Sequence, residues 1–360
     1  MPVTINDIAH SANVSRSTVS LVLRNETEGR VSATTSERVR QIMLDMNYRP
    51  HAAARQMRGD RSKAVRTNCL GYLFHVETQP ESHPYYMEVL MGANEEARLH
   101  NQHLLMGHGH ACAAQLKAQI LTLTGDKVDG WLLGALYDPD MIQFLKESRI
   151  PAVWAGSSMD TSGIVSQVRG DDFQGGYLAT KHLTDLGHRR IVCVMQNAQA
   201  GWVEQMRTGC RLALREAGIK DFAAPVQFHH DDENQLHQLI DGLLESKKPP
   251  TALLVRGDRT AVDAMRYLGT RGLEVPRDIS VVGYDGLALG EMSRPALTTV
   301  AAPRREIGKA AIQRLLEIID APEILPATTV LPVSLIERAS TGPVAVAKRR
   351  ESHQKVAVGA

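Results

Sequence analysis

Several things are scarce in this chain of 360 residues, and each scarcity narrows its class. Apolar stretches are short, as in Val128–Leu136, which Asp129 interrupts, and Ala252–Val255, far below the roughly 20 residues that span a bilayer. No membrane-spanning segment is expected. The opening MPVTINDIAH has neither a basic leader nor an apolar run before a small-residue cleavage site, so the expected location is cytoplasmic. The four cysteines, Cys69, Cys112, Cys193 and Cys210, have no CxxC spacing, and three lie in or beside apolar runs. Buried free thiols are expected, not a disulfide framework or a zinc site. GxxxxGK[ST], HExxH and GxSxG are all absent, which takes away the usual signatures of phosphate handling, metalloproteolysis and serine hydrolysis. Gly107 and Gly109 approach a dinucleotide fingerprint, but Cys112 stands where a third glycine is wanted. His103, His108, His110 and Cys112 form no convincing ligand set. No cofactor or metal is expected.

What is present is a globular composition, 43% hydrophobic and 22% charged, at a length that suggests two or three domains. Net charge is only +1, which conceals an asymmetry. Residues 1–66 hold eleven basic and six acidic residues, and the remaining 294 hold 30 and 34. A segment of +5 thus precedes a remainder of −4, and only the segment looks built for a polyanion.

That segment reads as three short helices and a linker. Thr4 can cap the first, which carries Ile5, Ile8, Ala9 and Ala12. After a break at Asn13 and Val14, Ser15 can cap a second with Val19, Val22 and Leu23 on one face. Beyond Ser32, Thr34 and Glu37 fit a capping box for a third, whose buried stripe is Val39, Ile42, Met43 and Met46. Pro50 stops it. His51–Arg58 can form a further short helix, and Gly59–Arg66 is polar and basic.

Two helices joined by a tight turn lay the second into a major groove. With Val14 and Val19 turned to the core, Arg16 and Ser17 face solvent. Arg16 can fork onto a guanine O6/N7 edge, Ser17 can bond a base, and Leu21 can touch a thymine methyl. Thr4, Ser15, Thr18 and Ser20 suit phosphate contacts, which position without specifying.

From Cys69 onward, short apolar runs alternate with amphipathic stretches, the pattern of a parallel sheet wrapped by helices. Strands are predicted at 70–76, 103–107, 130–135, 152–155, 191–195, 226–229, 252–255 and 279–283. Helices are predicted at 85–101, 173–186, 203–217, 260–271 and 304–320. So many strands exceed one core, and the expected architecture is α/β: two doubly wound, Rossmann-like subdomains with a ligand cleft between them. Asp171 and Asp172, just before a predicted helix, read as capping residues rather than as paired catalytic carboxylates. Residues 341–360 read as a frayed tail.

VTINDIAHSANVSRSTVSLVL, VSATTSERV and LDMNYRPHAAARQM together resemble the LacI/GalR family of transcription regulators. The resemblance continues in VDGWLLGAL, DDFQGGYLATKHLTDLGHRRI, RTGCRLAL, PRDISVVGYDG and RPALTTV. It implies a helix-turn-helix head with a hinge helix (1–58), a linker (59–68) and a periplasmic-binding-protein-like core (69–340). The implied N-subdomain is about 69–172 with 303–333, and the C-subdomain about 173–302 with 334–340. It also implies a homodimer on a near-palindromic double-stranded DNA operator. Hinge helices of the family enter the minor groove and wedge a leucine into the central step. Here Ala54, Arg55 and Met57 take that place, with methionine as the wedge.

In such cores a small-molecule effector binds between the subdomains, and Arg207 in RTGC and Asp285 in VVGYD are the residues that the resemblance assigns to effector bonding. Gly156, Gly257 and Ala302 stand where sugar-responsive members often place polar anchors. Tyr85 and Tyr86, at the head of the first core helix, and Arg256, His229, His230 and Asp231, at ends of apolar runs where doubly wound sheets bind ligands, are the further candidates. Two arginines make an acidic metabolite a candidate effector, and the resemblance favours a sugar or sugar derivative. The expected function is a DNA-binding repressor that performs no chemistry. The alternatives are a NAD-type or sugar-modifying enzyme with a helical head, and a ligand-blind DNA binder.

Overall fold

The computed structural model describes residues 3–23, 27, 29–46, 66–75, 84–109, 113–125, 127–134, 139–156, 163–196, 201–220, 226–228 and 233–344. The chain divides into two compact units, Met1–Arg66 and Thr67–Ala360.

In the first unit, α1 (Ile5–Ser11), α2 (Arg16–Leu23) and α3 (Ala33–Asp45) enclose a core of Ile8, Ala9, Ala12, Val19, Val22 and Val39. Thr4 starts α1 with a reciprocal box: Asp7 N donates to Thr4 Oγ1 at 3.4 Å, and Thr4 N donates to Asp7 Oδ2 at 2.7 Å. Asn13 makes the turn with φ 50°, a left-handed conformation that asparagine tolerates. Ser15 Oγ then accepts from Thr18 N at 3.1 Å and opens α2. The cap of α3 differs from the expected Thr34–Glu37 box. Ser32 Oγ reaches Thr35 N at 3.1 Å, so the helix starts ahead of Thr34 and takes it into the first turn. The expected hinge residues Ala54, Arg55 and Met57 lie outside the described residues, as do most of the linker and His229, His230 and Asp231.

In the second unit the strands are β1 (Cys69–His75), β2 (His103–Gly109), β3 (Trp131–Gly134), β4 (Ala152–Ala155), β5 (Ser166–Gly170) and β6 (Ile191–Gln196). They continue with β7 (Val226–Phe228), β8 (Ala252–Val255), β9 (Ser280–Asp285), β10 (Thr298–Ala301), β11 (Thr328–Leu331) and β12 (Ser334–Ile336). The first sheet has the order β11-β5-β4-β3-β1-β2 and is parallel throughout. The second repeats that order as β12-β10-β9-β8-β6-β7, with β12 antiparallel. Every residue of β3, β4 and β8 is buried, which is why these strands read as unbroken apolar runs.

Helices α4 (Pro84–Leu99), α5 (Ala113–Leu123) and α6 (Pro139–Ser148) precede the second sheet. After them come α7 (Asp172–Asp185), α8 (Gly201–Glu216), α9 (Glu233–Leu244), α10 (Asp258–Thr270), α11 (Ala288–Met292) and α12 (Arg304–Asp320). Helices α4 and α12 share one core with the first sheet, through Val89, Ala93, Ile307, Ala311 and Leu315. Helices α7 and α8 share another with the second sheet, through Ala179, Leu183, Met206 and Cys210. Each pair packs backbone to backbone. Gly176 and Gly209 face the carbonyls of Met206 and Phe173, and Gly92 and Gly308 face those of Arg305 and Val89. A Cβ at any of the four would overlap the facing oxygen.

The chain crosses between the sheets three times, after β5, β10 and β11. The crossovers hold one another: Asp171 N donates to Leu331 O at 2.9 Å, and Val333 N to Gln174 Oε1 at 3.0 Å.

Strands β5, β10, β11 and β12 were not expected from the sequence. In β5 the cause is polar residues that are nonetheless buried and satisfied: Ser166 Oγ accepts from Ala327 N at 3.2 Å, and Gln167 Nε2 donates to Gly156 O at 3.1 Å. The tail also needs correction, because residues 341–344 are tied down. Gly342 O lies 3.0 Å from His188 Nε2, Gly342 N donates to Ser280 Oγ at 3.2 Å, and Val344 N donates to Leu186 O at 3.0 Å. Buried His188 and Ser280 supply partners that a composition reading does not reveal. Among the described residues no helix is long and apolar enough to cross a membrane, and no metal-ligating cluster of His, Cys, Asp or Glu occurs.

Candidate nucleic-acid face and ligand site

On the first unit, Val19 and Val22 anchor α2 in the core, and that fixes which of its side chains look outward. Arg16 and Ser17 are exposed and Leu21 is half-buried, so one face at the start of α2 carries a guanidinium, a hydroxyl and a methyl-sized apolar surface. Thr18 and Ser20 are half-buried beside it. Ser15 and Thr4 are exposed, but both hydroxyls already serve helix starts. Ser15 Oγ lies 2.7 Å from Ser17 Oγ and 2.9 Å from Thr18 Oγ1, and Thr4 Oγ1 donates to Asp7 at 2.7 Å.

On the second unit the expected ligand residues that are described fall into three sets. Tyr85 and Tyr86 open α4 at the carboxyl ends of β3 and β4, with ring centroids 5.1 Å apart in an edge-on arrangement. They crowd Gly134 and Gly156, where a Cβ would lie within 3.3 Å of a tyrosine ring. Buried Tyr72 braces them by donating to Tyr86 O at 3.1 Å.

Arg256 and Asp285 leave the carboxyl ends of β8 and β9 and pair directly. Arg256 also lies 3.9 Å from Asp172, and its guanidinium sits 4.1 Å from the Tyr284 ring and 4.9 Å from that of Trp202. Burial works against the charge of Arg256, but Asp285 and Asp172 more than offset it and raise its pKa. Tyr284 donates to Asp172 at 3.2 Å, and its own pKa is pushed up by burial and then by that carboxylate. Arg207, on α8, stands apart from this pair and bonds Glu204 at 2.5 Å.

The loop after β9 is fixed on several sides. Asp285 has φ 119° and Gly286 has φ 72°, where a Cβ would overlap Ala301. Asp258, fully buried at the start of α10, accepts from Leu287 N and from Thr299 Oγ1, each at 2.5 Å. Burial, then the charge of Asp285, push the Asp258 pKa up to about 6, against those two bonds and Arg304. Arg304 donates to the carbonyls of Asp285 and Gly286, the latter at 3.0 Å. Four buried donors of the second unit have no acceptor among the described residues: Trp202 Nε1 and the Nε of Arg207, Arg256 and Arg304.

Sequence reasoning missed Asp172, Trp202, Tyr284, Asp258 and Arg304. The clearest correction is Asp172. Asp171 does cap α7, accepting from Gln174 N at 2.9 Å, but the next residue is turned inward and is 1% exposed against Arg256 and Tyr284. Arg256 offered a signal: a buried arginine next to an apolar strand calls for a buried carboxylate partner.

Residues 4–51 match the family described as bacterial regulatory proteins, lacI family, and residues 180–341 match the family described as periplasmic binding protein-like domain. The ribose operon repressor of Haemophilus influenzae is 31% identical over 343 residues, 94% of this chain and 98% of that protein. The HTH-type transcriptional repressor PurR of Aliivibrio salmonicida is 32% identical over 322 residues, 88% of this chain and 92% of that one. The lac repressor dimer bound to operator and the anti-inducer ONPF has a similar fold, with TM-score 0.75 and 26% identity over 95% of this chain and 100% of that one.

Proposed function

We propose that the chain, which belongs to the lacI family of bacterial regulatory proteins, is a cytoplasmic homodimeric repressor that performs no catalysis. It occupies a near-palindromic operator and releases or grips it according to a small molecule bound in the core. The observation that carries this reading is the outward face of α2, with exposed Arg16 and Ser17 next to half-buried Leu21 on a core-anchored helix. Arg16, Ser17 and Leu21 read bases, while Thr4, Ser15, Thr18 and Ser20 meet phosphates. Ala54, Arg55 and Met57 enter the minor groove, with Met57 as the wedge.

The residues assigned to the effector are Tyr85, Tyr86, Arg207, His229, Arg256 and Asp285. Trp202 joins them through its indole N–H, which has no acceptor among the described residues. Arg256 is matched by two carboxylates and Arg207 by one. That balance supports a neutral, acceptor-rich effector such as a sugar over an acidic metabolite, because an anion would meet carboxylates already in place. Buried donors without acceptors support the same preference.

The test selects duplexes from a random pool with the full-length protein, then titrates the selected duplex at several salt concentrations with and without a panel of sugars and organic acids. Specific, salt-sensitive binding that a neutral sugar alters supports the reading. Uniform weak binding to every duplex contradicts it.

A further inference from the structure

Of the polar groups in the second unit, those between Arg169 and Arg304 form a continuous alternating series. Arg169 belongs to β5 of the first sheet, and its Nη1 lies 3.8 Å from Asp172, just beyond the first crossover. Asp172 lies 3.9 Å from Arg256, and Arg256 pairs with Asp285, both in the second sheet's half. The carbonyls of Asp285 and Gly286 accept from Arg304, which opens α12 just beyond the second crossover. Helix α12 belongs to the core of the first sheet, through Ile307, Ala311, Ile312 and Leu315. The series therefore leaves the first sheet's half at one crossover and returns to it at another, and its middle is the pair proposed to meet the effector.

The members are largely withdrawn from water, Asp172 most of all. Side-chain exposures are 17% for Arg169, 2% for Asp172, 12% for Arg256 and 15% for Asp285. A buried ion left without its partner is strongly unfavourable, so the series breaks or holds as a whole instead of stretching gradually. Discrete switching of this kind is what a hinge between two packed halves requires.

We propose that Arg169, Asp172, Arg256, Asp285 and Arg304 form one coupling element that passes effector occupancy at Arg256 and Asp285 to both crossovers, and from there to operator affinity. Arg169 and Arg304 act as positioning residues in it, and the proposal rests on the reading above that the head binds DNA under control of the core.

The experiment compares full-length Arg169→Gln, Arg304→Gln, the double variant and Arg304→Lys with the parent. One readout is affinity for the duplex that the parent selects from a random pool, and the other is urea unfolding. Each single Gln variant is expected to weaken duplex affinity about fivefold or more, at the low end of allosteric couplings. The double variant should fall within about twofold of the weaker single, because the element is already broken. Arg304→Lys, which keeps the charge but loses the two-pronged donor, should recover part of the affinity. Unchanged affinity in folded single variants, even with lowered stability, would overturn the proposal, as would effects that multiply in the double. A parent that selects no duplex fails the repressor reading instead. The unfolding cycle then decides: non-additive losses retain the element, and additive losses overturn it.

Discussion

Replacing Arg256 with methionine isolates the electrostatic core of the ligand site. Methionine keeps the apolar stem against the rings of Trp202 and Tyr284, which lie 4.9 Å and 4.1 Å from the guanidinium, while removing the charge. Asp172 and Asp285, with side chains 2% and 15% exposed, then lose their common partner. Removing one member of a buried ion pair typically costs ~3–5 kcal/mol, and the lost cation–π contact adds ~0.5–2 kcal/mol. At ~2 °C per kcal/mol for a unit of this size, the thermal midpoint should fall by ~7–14 °C. Calorimetry and near-ultraviolet circular dichroism follow the loss. The triple variant Arg256→Met, Asp172→Asn, Asp285→Asn should regain part of it, because neutral amides remove both unpaired carboxylates although Arg169 loses Asp172. A single variant within about 0.5 kcal/mol of the parent, or a triple less stable than the single, would refute the reasoning.

Three further outcomes follow from the same geometry. Asp258 has a folded pKa of about 6, above its ordinary value of 3.8, so the stability it contributes is full below the ordinary value and lost as pH rises through about 6. The loss is on the order of 3 kcal/mol, and Asp258→Asn should flatten urea midpoints between pH 4 and 7; an unchanged pH slope contradicts this. Gly209→Ala places a Cβ against the Phe173 carbonyl and should cost ~1–3 kcal/mol by spreading α7 from α8, whereas a neutral effect on the thermal midpoint denies the close packing. Arg16→Ala should cost ~1–3 kcal/mol of operator binding and relax discrimination at one base pair, and a variant with undiminished discrimination removes Arg16 from base reading.

The strands buried on both faces were legible because burial leaves a continuous apolar run: 152–155 and 252–255 coincide with β4 and β8. The helix starts were legible where a hydroxyl stands three residues ahead of an amide, as at Thr4 and Ser15. Strand β5 was hidden because its Ser166 and Gln167 are satisfied by Ala327 and Gly156, outside the strand, which no local pattern records. The ligand site was half legible for a related reason. Arg256 and Asp285 sit at strand ends, where ligands of doubly wound sheets gather. Asp172 and Arg304 enter only because two crossovers bring them beside that pair. Their roles depend on topology, and adjacent acidic residues such as Asp171 and Asp172 look alike until one is seen to turn inward.

The most direct test of the central claim is recovery of genomic DNA by the purified full-length protein at about physiological salt, where specific sites typically exceed nonspecific binding by roughly 10³-fold or more. The account predicts enrichment of one near-palindromic sequence whose two halves are each read by one α2. Recovered fragments that share no sequence would contradict it.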